Sequence, residues 1–126
     1  MGEGEVKEKE FEKEVKSFLR DHGCWLLKTW SNGIQREGVP DLLVCCNGYF
    51  LGIELKTETG KVSELQKWNI RKIKESGGFA CVLRPSQFEA FKRCIMQMNQ
   101  NMNCRYTTAE DEILKEKDNE SLRANE

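Results

Sequence analysis

An α/β fold, with a mixed central sheet flanked by helices in the order αβββαβ, is what this 126-residue chain predicts. Three observations predict it. Apolar residues recur at helical spacing between residues 6 and 20. Two apolar runs meet at Asn47-Gly48, the strongest short-range signal for a hairpin. A later apolar run follows a capped helix, so it returns parallel to the hairpin's second strand through a right-handed crossover.

Each element has its own signal. Phe11, Val15, Phe18 and Leu19 form the apolar stripe of the first helix among Lys and Glu, and His22-Gly23 ends it. CWLLKTW (24–30) reads as a strand and SNGIQREG (31–38) as a loop. GVPDLLVCCNGYFLGIELK (38–56) supplies the hairpin. In SELQKWNIRKIKESGG (63–78), Ser63 is the N-cap, Gln66 its capping-box partner and Gly77-Gly78 the stop. FACVLR (79–84) is the last strand. SQFEAFKRCIMQM (86–98) is a helix with a second capping box, Ser86 and Glu89, and a stripe of Phe88, Phe91, Ile95 and Met98. These elements fill one domain, residues 1–98, and residues 99–126 read as a polar, acidic tail holding at most a weak helix.

Composition limits the function classes. At 38% hydrophobic residues the chain supports one modest core. It shows neither an apolar run of membrane-spanning length nor a signal-like start, so the expectation is a soluble, cytoplasmic protein. Six cysteines without a CxxC pair, and with a single histidine, give no zinc-ligand spacing and point to reduced, mostly buried thiols. Net charge is −1 overall. It divides into −1 for residues 1–20, +3 for 21–98 and −3 for 99–126, so the body is mildly basic.

The hairpin carries charges that a purely structural ribbon does not need. With Asn47 and Gly48 as the central turn residues, Cys46 faces Tyr49, and the same count outward sets Asp41 opposite Glu54. Lys56 then shares their face, while Leu42, Val44, Ile53 and Leu55 line the core face. Two carboxylates about 5 Å apart repel by roughly 3 kcal/mol at an effective dielectric of 20. A cation or a proton must offset that. A hard divalent cation on carboxylate oxygens is one solution, with the lysine holding a water or balancing charge on a phosphate. The alternative is structural: Asp41 organises a turn after Pro40, and Glu54 pairs with Lys56 or Arg36 at the surface.

GVPDLLV, GYFLGIELKTETGKVSELQ and ESGGFACVLRPSQF together resemble the VRR-NUC family of the PD-(D/E)XK nuclease superfamily, whose compact phage and bacterial members are related to Holliday junction resolvases. The likeness covers residues 8 to 96. It implies a restriction-endonuclease-like core and a metal-dependent endonuclease acting on branched DNA. It further implies that Asp41, Glu54 and the main-chain carbonyl of Leu55 ligate Mg²⁺ or Mn²⁺, and that Lys56 positions the attacking water. Gln66 matches the glutamine that the family sets beside the active centre, and it also fits the capping box. The family's first helix supplies one more acidic residue, for which Glu12 is chosen over Glu8 and Glu14. Lys28, Ser31, Asn32 and Arg36, before the hairpin, are candidate contacts to DNA phosphates. The weak positive charge suits a homodimer, with Trp25, Trp30, Tyr49 and Trp68 as interface material. Competing readings are a nuclease of the same fold acting on flaps or duplex, and a non-catalytic DNA-binding module.

Overall fold

The computed structural model describes residues 3–30 and 37–100. Helix α1 (Glu3–Asp21) ends where Gly23 takes a left-handed φ of 78°. Strands β1 (Trp25–Lys28), β2 (Leu42–Cys46) and β3 (Tyr49–Leu55) follow, then helix α2 (Glu64–Glu75), strand β4 (Phe79–Leu83) and helix α3 (Phe88–Gln100). The four strands lie in the order β1-β2-β3-β4, antiparallel at the first two junctions and parallel between β3 and β4. The mixed sheet and the crossover through α2 are as predicted.

Asn47 and Gly48 both hold positive φ, 52° and 83°, which is what a two-residue turn matched to strand twist requires. The register follows from that turn: Cys46 pairs with Tyr49 and, at the far end of β2, Leu42 pairs with Ile53. Leu42, Val44, Cys46, Leu51, Ile53 and Leu55 consequently point to one face, where all are buried. Helices α1 and α3 cover that face through Phe11, Val15, Leu19, Phe91, Ile95 and Met98. Phe11 and Phe88 meet edge to face, with centroids 5.5 Å apart.

The opposite face is covered only in part. No residue of α2 is buried, and the helix rests on the sheet by Ile73, which fills the space left by the absent side chain of Gly52. Opposed residues share a face, so Trp25 and Cys45 lie on this side with Phe50, and Leu27 with Leu43. Trp25, Leu27 and Phe50 are exposed there.

The stop of α2 is as expected, whereas the start of α3 differs. Helix α2 stops at Glu75, capped by Ser76, because Gly77 turns left-handed and the Gly78 N–H closes back onto the Ile73 carbonyl. Helix α3 begins at Phe88, after a 3₁₀ turn over Pro85–Gln87. The expected Ser86–Glu89 capping box is replaced, since the Ser86 N–H and hydroxyl both donate to Glu58. Helix α3 also runs on to Gln100. Asn99 belongs to α3, donates to the His22 carbonyl at 3.2 Å and accepts from the Cys46 thiol. The remainder of the predicted tail lies outside the described residues. All five cysteines within them are free, but only Cys24 and Cys46 are buried; Cys45 and Cys94 are exposed, so "mostly buried" is corrected. Burial, with Cys46 beside it, pushes the Cys24 thiol up to about 12.

Candidate active site

Asp41 sits one residue before β2, at the point where β1 and β2 run out of strand. Its carbonyl accepts from the Thr29 N–H at 2.8 Å, which continues the β1–β2 alignment past Lys28 and Leu42. Thr29 Oγ1 donates to the Pro40 carbonyl at 2.9 Å, so Thr29 holds the Pro40-Asp41 backbone through both its main chain and its side chain. Gly38 adds a third constraint. A Cβ there would lie 2.6 Å from Leu65 Cγ, so only glycine lets the first turn of α2 pack against this segment.

The Asp41 side chain turns toward β3, where Oδ2 accepts from the Leu55 N–H at 2.9 Å. Glu54 lies beside it and is 3% exposed, the one buried charged residue among those described. Gln66 reaches Glu54 from α2. Its amide nitrogen donates to Glu54 Oε1 at 2.8 Å, while its amide oxygen accepts from the Ser63 N–H at 2.9 Å. The capping box therefore fixes the side chain that orients the carboxylate, so Gln66 both caps α2 and contacts Glu54.

Lys56 follows β3. Its ammonium is 3.9 Å from Glu54 Oε1, and its backbone N–H donates to the Leu83 carbonyl at 3.1 Å, continuing the pairing with β4. Glu12 approaches from α1 and joins the group through Lys28, which contacts Glu12 Oε1 directly and lies 3.9 Å from Asp41 Oδ1. Lys28 is thus the last residue of β1 and not part of the following loop, with its charge directed at two carboxylates. Ser31, Asn32 and Arg36 lie outside the described residues.

The electrostatics push Glu54 and Glu12 in opposite directions. Burial, reinforced by the negative charge of Asp41 and opposed by Lys56, pushes Glu54 up to about 8. Burial also acts on Glu12, but Lys28 and Lys16 outweigh it and hold that carboxyl below its ordinary value. Among the described residues Glu54 Oε2 is a buried oxygen with no hydrogen-bond partner. A buried acceptor left unpaired is costly, and a proton or a bound cation removes the cost.

The raised Glu54 sets a pH dependence with a definite sign. A carboxyl whose folded value is raised stabilises the fold fully below its unfolded value near 4.5, and loses that contribution as pH rises through about 8. In EDTA, the wild-type melting temperature should therefore fall relative to that of Glu54→Gln between pH 5 and pH 9. Parallel curves for the two proteins would mean that Glu54 titrates normally.

The donors fit a hard divalent cation. Asp41 and Glu54 offer oxygen ligands, one of them unsatisfied, and no group of three or more His, Cys, Asp or Glu side chains suited to a metal occurs among the described residues. Two carboxylates are what Mg²⁺ accepts while it keeps several waters. Lys28 was missed as a partner of Glu12 and Asp41 because its closest contact spans from residue 12 to residue 28, and only the packing of α1 on the sheet brings those two together.

Comparison with known proteins gives a family and a fold. A family model described as archaeal Holliday junction resolvase (Hjc) matches residues 4–116. Among solved structures, a "VRR_NUC domain" is similar, with a TM-score of 0.54 and 24% identity over 79% of this chain and 98% of that one. That likeness supports the restriction-endonuclease-like α/β fold. No curated protein matches the chain.

Proposed function

We propose, from the premise that this chain belongs to the archaeal Holliday junction resolvase family, that it is a Mg²⁺- or Mn²⁺-dependent endonuclease of branched DNA. The observation that carries the reading is the carboxylate pair: half-buried Asp41 bound to the Leu55 N–H beside a buried Glu54 whose second oxygen has no hydrogen-bond partner among the described residues. Asp41, Glu54 and the Leu55 carbonyl would hold the ion. When bound, it supplies Lewis acidity toward a phosphate oxygen and a more acidic water.

The chain's own groups do the rest. Gln66 keeps Glu54 Oε1 turned toward α2, while Oε2 is buried without a hydrogen-bond partner among the described residues and is free to accept a ligand bond. Lys56, with its ammonium beside Glu54, orients the attacking water and offsets negative charge that builds on the phosphate. Lys28 ties Glu12 to the same centre and balances the acidic cluster while no cation is bound. DNA phosphates are engaged by Ser31, Asn32 and Arg36, with Lys28 at the base of that segment.

A four-way junction needs two cuts, and one small subunit of weak positive charge offers one site. A homodimer supplies the second. Support comes from the sheet face that carries Trp25 at 62%, Leu27 at 46% and Phe50 at 45% exposure, too apolar to be left to water. Trp30 and Trp68 are also exposed, whereas Tyr49 packs its ring on Phe79. Sedimentation at micromolar concentration should give roughly twice the chain mass of 14.6 kDa; a strict monomer argues for the reading as a flap or duplex nuclease. The substrate is tested by incubating the protein with four-way junction, flap, duplex and single-stranded DNA in Mg²⁺, Mn²⁺ or EDTA. Preferential, metal-dependent nicking of the junction is expected. Equal cutting of plain duplex contradicts junction selectivity, and no cutting of any DNA leaves the binding-module reading.

A further inference from the structure

Beyond the carboxylates, lysine and glutamine of the site, one basic side chain makes an unusual set of contacts. Arg84 leaves the end of β4 and directs a single guanidinium nitrogen, Nη1, at three main-chain carbonyls of the segment between Lys56 and α2. These are Thr57 at 2.6 Å, Glu58 at 3.2 Å and Gly60 at 2.8 Å. Charge-assisted bonds of this kind are the stronger class.

The same segment is tied a second time. Glu58 accepts from the N–H and the hydroxyl of Ser86, at the start of the 3₁₀ turn that replaced the expected capping box. Cross-links from β4 and from the turn that follows it therefore converge on four residues without helix or strand structure.

That segment is placed against the reactive lysine. A Cβ on Gly60 would stand at ordinary contact distance, 3.4 Å, from Lys56 Cδ and at 3.1 Å from Thr57 Oγ1, so the Gly60 backbone borders the Lys56 stem as a wall on one side. Lys56 has a long, flexible stem and no hydrogen bond among those described, only the 3.9 Å ion pair with Glu54. Backbone anchoring at the Leu83 carbonyl fixes where the lysine starts, and the wall restricts where it can go.

We propose that Arg84 is a positioning residue for Lys56: by holding the Thr57–Gly60 carbonyls it sets Gly60 against the lysine stem and keeps the ammonium beside Glu54. The proposal rests on the nuclease reading of the site. Arg84 touches neither Asp41 nor Glu54 in the recorded contacts, so its effect falls on the rate of the chemical step and not on cation binding or DNA binding. A misplacement on the order of 1 Å in a reacting group costs up to about a hundredfold in rate.

The test compares wild type, Arg84→Ala, Arg84→Lys and Gly60→Ala as full chains. Single-turnover cleavage of a four-way junction in Mg²⁺ is measured together with junction affinity in Ca²⁺, Mn²⁺ affinity, and amide hydrogen exchange over residues 57–62. Arg84→Ala should lose about ten- to a hundredfold in cleavage rate, with both affinities within about twofold and exchange at 57–62 faster by at least about tenfold. Gly60→Ala should lower the rate with the same affinities retained, because its new methyl, 3.1 Å from Thr57 Oγ1, shifts the backbone that borders the lysine stem. Arg84→Lys should restore most of the rate, since an ammonium offers three donors to three carbonyls.

An Arg84→Ala protein that cuts at the wild-type rate overturns the positioning role and leaves the nuclease reading standing. A parallel loss of rate, affinities and melting temperature also overturns it, by showing a general structural role. A wild-type protein that cuts no DNA overturns the nuclease reading and this role with it.

Discussion

Asp41→Asn is expected to lower Mn²⁺ affinity by at least about a hundredfold, more than the ten- to hundredfold that loss of an outer-shell partner costs, while melting in EDTA stays level or rises. The reasoning is electrostatic. The Asn amide oxygen still accepts from the Leu55 N–H, so the local hydrogen bond survives. The negative charge beside buried Glu54 is gone, and with it one of the causes that raise that carboxyl. Lys28 loses a 3.9 Å partner but keeps Glu12, which limits the opposing cost. Calorimetric titration and thermal melts check the two halves separately. A clear loss of stability without metal would make Asp41 a structural turn residue, the alternative that spacing alone left open.

Lys56→Ala should reduce junction cleavage by about a hundred- to a thousandfold, the effect of deleting one preorganised group aimed at developing charge, and the protein should remain folded. Its side chain, about four-fifths covered, is not part of the apolar core, and its backbone bond to Leu83 does not depend on the side chain. Removing a cation beside Glu54 also favours the protonated carboxyl, so the pH at which Glu54 ionises should move further up. Circular dichroism and single-turnover kinetics together separate lost chemistry from lost fold. Near wild-type cutting would remove Lys56 from the site.

Most of the site was legible because it lies on one local device. The Asn47-Gly48 turn has a fixed length, so the register of Leu42 through Cys46 on Tyr49 through Ile53 follows by counting, and the same count extends to Asp41 and Glu54. The Ser63–Gln66 box was legible for the same reason, its partners being three residues apart. Contacts between elements distant in sequence were not. Lys28 meets Glu12 only because β1 is paired at the sheet edge while α1 crosses the same face. Arg84 meets the Thr57–Gly60 carbonyls only because β4 lies parallel to β3, which brings the two strand ends to one side of the sheet. The Ser86 capping box failed for a related cause. A serine that fits a helix start has no preference for that start over a carboxylate arriving from residue 58.

The central claim, that Asp41, Glu54 and Lys56 form a metal-dependent site for cutting branched DNA, is met most directly by one junction-nicking assay. Each strand of a four-way junction is labelled in turn and incubated with wild type in Mg²⁺, with wild type in EDTA, and with Glu54→Gln in Mg²⁺. Glutamine keeps an acceptor for Gln66 Nε2, so the fold around α2 is undisturbed while the ligand charge is lost. The account predicts symmetric paired nicks in the first reaction and none in the other two; nicking that persists in EDTA or in the Glu54→Gln protein would contradict it.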